Sequence, residues 1–163
     1  MKEEEFARSI SLALFDYMRK SRSHGFVVSL SGGADSSAIC SLSSMMVEFG
    51  VQELGLDGFL KKLAYFKRIQ DCKSPAEIMH RLLATVYQGT ENSGEVTLTA
   101  ARELSKALNA EFMQFNVGPI HRSYMEMVEK SIGRPLDWKT DDIAMQNIQA
   151  RVRSPGVWML TNL

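Results

Sequence analysis

Phe26-Val27-Val28-Ser29-Leu30-Ser31-Gly32-Gly33-Ala34-Asp35-Ser36-Ser37 is the stretch on which the reading of this chain turns. Its first five residues form a short apolar, β-branched run, the pattern of a buried strand. Ser31-Gly32-Gly33 then turns the chain. From Ala34 onward Ile39, Leu42, Met45, Met46 and Phe49 return at helical spacing. A turn from strand to helix lies, in an α/β sheet, at the carboxyl end of the strand, where ligands bind. Glycines allow the backbone to come close to a ligand and to adopt positive φ. The helix start offers unpaired amides and the positive end of a dipole, which suit phosphate. Ser31, Ser36 and Ser37 add hydroxyls. Asp35 adds a carboxylate that repels phosphate unless Mg²⁺ stands between them, and magnesium takes carboxylate and phosphate oxygens together. Neither G-x-x-x-x-G-K-[ST] nor G-x-G-x-x-G is present. The bland reading of the same residues is a tight turn with an ordinary helix-start acid.

Working outward, Phe6, Ile10, Leu14 and Met18 stand at steps of four and predict a helix over 4–20. The helix after the glycine turn is expected to stop at Gly50. Residues 51–81 read as a helical insertion, with Ser74-Pro75-Ala76-Glu77 as a capped helix start. Leu82 to Tyr87 predicts the second strand and Gln88 to Ser93 a polar loop. Asn92 with Glu95 resembles a capping box for a helix reaching about Leu108. Glu111 to Val117 predicts the third strand, and Pro119 to Ile132 a helix ended by Gly133-Arg134-Pro135. Thr140 is expected to cap a last helix through Asp141 and Asp142. That helix carries Asn147 and Arg151, which share a face. Pro155 is expected to kink or end it, because an internal proline costs ~3 kcal/mol. Strand and helix alternate three times, which predicts a parallel sheet covered by helices.

With 163 residues, 45% of them apolar, the chain is long enough for one domain with a real core. Lys+Arg and Asp+Glu number 19 each, so no overall charge draws it to nucleic acid or an anionic membrane. Cys40 and Cys72 form no paired motif, which argues against zinc and disulfides. No apolar run approaches the ~20 residues that span a bilayer, and the acidic start Met1-Lys2-Glu3-Glu4-Glu5 is unlike a signal peptide. The expectation is a cytoplasmic protein.

Ser31-Gly32-Gly33-Ala34-Asp35-Ser36 after an apolar strand resembles the S-G-G-x-D-S signature of the PP-loop ATP pyrophosphatases. Asn147-Ile148-Gln149-Ala150-Arg151-Val152-Arg153 resembles the N-[IV]-[QK]-A-R-x-R helix of the NAD synthetases within that superfamily. Gly133-Arg134-Pro135-Leu136-Asp137-Trp138, Trp158-Met159-Leu160-Thr161-Asn162 and Thr90-Glu91-Asn92-Ser93-Gly94-Glu95 are similar to the larger glutamine-dependent branch. The resemblance spans most of 24–163 and is weakest in the insertion.

The resemblance implies a three-layer α/β/α parallel sheet of the adenine nucleotide alpha hydrolase-like (PP-loop) type. Residues 1–163 would be the N-terminal part of a single synthetase domain, incomplete at the C-terminus. A further strand, a second Mg²⁺-binding Glu and a closing loop with a lysine would follow Leu163. The implied reaction is ATP-dependent amidation of deamido-NAD through an acyl-adenylate, with ammonia, direct or from glutamine, as nitrogen donor. The implied ATP site is Ser29, Leu30, Ser31, Gly32, Gly33, Ala34, Asp35 and Ser36, with the backbone of Tyr87 and Gln88 near the adenine. Asp35 would bind Mg²⁺, and Asn147 and Arg151 would contact deamido-NAD. A homodimer and a glutaminase domain are implied partners. Arg153 points elsewhere on its helix and is expected to be structural or at an interface. Another PP-loop amidotransferase such as GMP synthetase shares the glycine turn, and a non-catalytic ATP-binding module is a further reading.

Overall fold

The computed structural model describes residues 2–91 and 93–163. Three strands, β1 (Phe26–Ser29), β2 (Leu83–Gly89) and β3 (Glu111–Asn116), form one parallel sheet in the order β1-β2-β3. β1 leads through α2 (Ala34–Lys62), a 3₁₀ turn (Lys67–Ile69) and α3 (Pro75–Leu82) to β2. β2 leads through α4 (Glu95–Ala107) to β3. Parallel neighbours need such crossovers because a tight hairpin cannot return the chain in the same direction. After β3 come α5 (Gly118–Ile132), α6 (Asp142–Arg151) and α7 (Ser154–Leu160). The opening helix α1 (Lys2–Ser21) lies against α2 rather than on the sheet, and α7 lies against β1.

Met18, Leu30, Phe59, Leu63, Ile69 and Ile78 are fully buried and form the centre of the core. Removing one such side chain from water stabilises the fold by roughly 1.5–3 kcal/mol. The buried hydroxyls of Thr85 and Ser105 are paired within it. The Thr85 hydroxyl donates to the Glu111 carbonyl or the Ser105 hydroxyl, 2.9 Å from each, and so ties β2 to β3 and α4. Cys40 is buried, and loss of water pushes its thiol up to about 11, so it stays protonated as a small core residue.

The strands and most helices fall where the sequence places them, and several boundaries move for physical reasons. α2 does not stop at Gly50. It runs on to Lys62 and breaks at Gly55, where φ is +69°. A Cβ at Gly50 would lie 2.6 Å from the Phe59 ring, so Gly50 is there for close packing of the second limb on the first. The first limb of the predicted insertion is therefore an extension of α2. Ser74 caps α3 by accepting from the Glu77 amide at 3.2 Å, and the Glu77 carboxylate accepts from the Lys73 amide at 2.8 Å. β2 continues through Gln88 and Gly89 because both still pair with β3. The residue at the N-cap of α6 is Asp141, not Thr140. Pro155 does not kink that helix; it occupies the first turn of α7, where a missing amide costs nothing. The expected cap at Asn92 lies outside the described residues, and Gly94 stands at the N-cap of α4.

Candidate functional site

The glycine turn is held by its own serines. The Gly33 amide donates to Ser31 Oγ at 3.2 Å, the Ser31 amide donates to Ser36 Oγ at 3.2 Å, and the two hydroxyls lie 3.1 Å apart. Ser36 Oγ and Ser37 Oγ both donate to the Gly33 carbonyl, at 3.2 and 2.8 Å. Gly32 has φ of +80°, and a Cβ there would meet the Thr97 carbonyl oxygen at 2.4 Å. The turn is thus pressed against α4. The N-cap of α2 is Gly33, which has no side chain to cap with. The first helical bond runs from the Ser37 amide to the Gly33 carbonyl at 3.2 Å, so the amides of Ala34, Asp35 and Ser36 have no helical acceptor. Asp35 is exposed on this first turn.

Other residues expected at this site also make contacts within the fold. The Leu30 side chain is fully buried, and its amide donates to the Val86 carbonyl at 2.9 Å, so it serves core and ladder. Ser29 Oγ accepts from Gln88 Nε2 at 3.0 Å. Tyr87 is buried with its hydroxyl 2.9 Å from Thr97 Oγ1. Gln88 Oε1 and Thr90 Oγ1 at the end of β2, and His121 Nε2 in α5, are buried polar atoms without hydrogen-bond partners among the described residues. A cleft of about 240 Å³ opens at the carboxyl ends of β2 and β3, lined by Tyr87, Gly89, Thr90, Leu98, Phe115 and Asn116 among others. A larger groove, about 440 Å³, is lined only by α1 and α2 residues. The strand ends define the candidate site, because parallel sheets bind ligands there.

Asn147 and Arg151 are exposed and adjacent, with Arg151 Nη1 donating to Asn147 Oδ1 at 2.8 Å. Asn147 Nδ2 in turn donates to the Ile143 carbonyl at 2.9 Å. Both are placed on the helix that the Arg134–Asp141 ion pair holds at its start. That pair is doubly bonded, at 2.7 and 2.9 Å, and it holds the Asp141 carboxyl well below the ordinary carboxylate range. Two contacts were not legible beforehand. Thr97 abuts the turn through its main chain, which no side-chain pattern reveals. Arg153 reaches the Gln88 carbonyl at 3.2 Å, and its only signal was its place two residues after Arg151.

The sequence pattern of the family described as NAD synthase matches residues 6–162. The chain belongs to the NAD synthase family. It is 32% identical to a glutamine-dependent NAD(+) synthetase of Oryza sativa subsp. indica over 174 residues, which cover 99% of this chain and 23% of that protein. The corresponding protein of Homo sapiens is 31% identical, with 99% and 24% covered. The crystal structure of a glutamine-dependent NAD(+) synthetase from Cytophaga hutchinsonii superposes with a TM-score of 0.93 at 44% identity, covering 99% of this chain and 29% of that one. An NAD+ synthetase from Burkholderia pseudomallei shares the fold at a TM-score of 0.67 and 19% identity. The chain spans about a quarter of the length of the curated relatives it matches. The fold is thereby that of the PP-loop-type NAD synthetases.

Proposed function

We propose that the protein to which this chain belongs amidates deamido-NAD to NAD at the expense of ATP, with ammonia, free or released from glutamine, as the nitrogen donor. The observation that carries this reading is the uncapped first turn of α2 behind the Ser31–Ser36 hydroxyl pair, in a chain of the NAD synthase family. A free nicotinate carboxylate has no usable leaving group. Attack of its oxygen on the α-phosphorus of ATP forms a new P–O bond and releases pyrophosphate. Ammonia then adds to the acyl carbon, AMP departs with the C–O pair, and the nitrogen loses a proton.

In this reading the amides of Ala34, Asp35 and Ser36 and the dipole of α2 hold the phosphates and stabilise charge on the departing pyrophosphate. A single exposed carboxylate, Asp35, fits a Mg²⁺ that keeps several waters and draws its other oxygens from phosphate. Bound there, magnesium would offset the repulsion between Asp35 and the phosphates and neutralise charge on the leaving group. The end of β2 at Tyr87 and Gln88 would border the adenine, and Asn147 with Arg151 would grip deamido-NAD, the guanidinium forking onto its phosphate or carboxylate. We read residues 1–163 as part of one synthetase domain acting in the cytoplasm. A second copy would cover the exposed apolar residues of α5 and α7, among them Met127 and Trp158.

Isothermal titration with ATP and Mg²⁺ tests the site, beside Asp35→Ala. Clearly weaker binding by the variant is expected. A substrate panel tests the reaction: pyrophosphate release should depend on deamido-NAD. Release dependent on xanthosine monophosphate instead would overturn the reading, and binding without release would point to a nucleotide-binding module.

A further inference from the structure

Arg153 is the one arginine of the Asn147–Arg153 motif that the proposed substrate contacts leave unused. It stands at the junction of α6 and α7, beside the buried Val152. Its Nη1 donates to the Gln149 carbonyl at 2.5 Å, and its Nε to the Gln88 carbonyl at 3.2 Å. The first bond satisfies an orphan carbonyl of the last turn of α6. The second has a reason in the sheet. Along a parallel ladder, alternate carbonyls of a strand face the same neighbour. The Val86 carbonyl accepts from the Leu30 amide of the β1 segment, so the Gln88 carbonyl, two residues on, also faces that side. There the chain has already left the ladder, since Gly32 turns away with φ of +80°. The guanidinium supplies the donor that the glycine turn withdraws.

The same residue pair reaches the turn from within. Gln88 Nε2 donates to Ser29 Oγ at 3.0 Å, one residue before Leu30 and two before Ser31. Gln88 is buried, and its Oε1 lies 3.8 Å from where a Cβ of Gly156 in α7 would stand. A continuous set of contacts therefore runs from Gln149 through Arg153 and Gln88 to Ser29. We propose that Arg153 is a positioning residue: its guanidinium fixes the helix bearing Asn147 and Arg151 against the end of β2, beside the glycine turn. A lysine could meet only part of this demand, because its single ammonium lacks the planar fork that reaches two acceptors on separate elements. The kinetic consequence rests on the reading of Asn147 and Arg151 as deamido-NAD contacts; the structural consequence does not.

The test uses the full-length protein with Arg153→Met and Arg153→Lys, followed by hydrogen exchange without ligand and by steady-state kinetics with ammonia. Exchange of the α6 amides toward Val152 should quicken about tenfold in Arg153→Met, with β2 amides changed by less than about twofold. The KM for deamido-NAD should rise about tenfold while the KM for ATP stays within about twofold, and Arg153→Lys should fall between. Should Arg153→Met fail to fold, the lysine variant carries both readouts in the same direction at smaller size. Unchanged α6 exchange in a folded variant overturns the positioning role whatever the activity. A rise in both KM values together overturns it as well. A wild type that makes no NAD from deamido-NAD overturns the functional reading alone, and the exchange result still decides the role of Arg153.

Discussion

Gly32 combines two demands that no other residue type meets. Its φ of +80° disfavours any side chain, and the Thr97 carbonyl stands 2.4 Å from the site of a Cβ. Gly32→Ala should cost about 2 kcal/mol or more, from left-handed backbone strain together with the displaced main chain of α4. Urea unfolding measures the loss, and calorimetry should show ATP binding reduced in the same variant; an alanine variant with unchanged midpoint would contradict the geometry. Thr85 offers a contrasting case. Thr85→Val keeps the shape but takes a donor from the half-buried Glu111 carbonyl and from the buried Ser105 hydroxyl, at an expected cost of about 1 kcal/mol by the same unfolding measurement. At this scale the sequence was partly legible. Glycine, serine and acid in order after a strand announce a helix start that can take phosphate. They do not announce that Leu30 is spent on the core, or that Gln88 turns its amide toward Ser29.

Two elements depart from their sequence reading. Both Gly50 and Gly55 are breaks by composition, and only the seat of Phe59 on Gly50 decides which one bends α2. At Gly55 no atom of the described residues lies within 4 Å of an added Cβ, so Gly55→Ala should cost only backbone strain; φ of +69° with ψ of 164° is a combination nearly reserved for glycine, worth roughly 1–3 kcal/mol, read as a lowered melting temperature. The start of α6 gives a pH test. Asp141 has an ordinary value of 3.8, lowered in the fold first by its bonds from Arg134 and next by the Asp137 amide. A lowered carboxylate stabilises the folded state fully above its unfolded value and ceases to do so as pH falls toward the folded one. The stability gap between wild type and Asp141→Asn should therefore be constant above about pH 5 and shrink steadily below pH ~4, as followed by circular dichroism. A gap independent of pH would remove the ion pair from the account. Proline misled at the other end of this helix. An interior proline breaks a helix, but the same residue one turn later begins α7, and the sequence alone does not say where α6 has already ended.

Across the molecule, strand number, direction and alternation with helices were legible from hydrophobic runs and their spacing. The order β1-β2-β3 was not, because parallel strands carry the same buried pattern on both faces whatever their neighbours. That order makes β2 the strand paired on both sides and the one that bears Tyr87 and Gln88. Its amides should exchange slowest of the three strands by hydrogen exchange, and faster exchange in β2 than in β1 would argue against the observed pairing. The family resemblance was legible at the two ends of the proposed site, the glycine turn and the Asn147–Arg151 helix, while the tie through Arg153 shows only in the folded chain. The internal bonding of the glycine turn bears on how the proposed phosphate site would meet its ligand. The hydroxyls of Ser31, Ser36 and Ser37 are already bonded within the turn. Its backbone freedom is lost when the chain folds, not when phosphate arrives. Association should then carry little ordering entropy from this loop, so rigidity itself becomes a share of affinity, and loosening the serines would weaken binding without removing a single contact to the nucleotide.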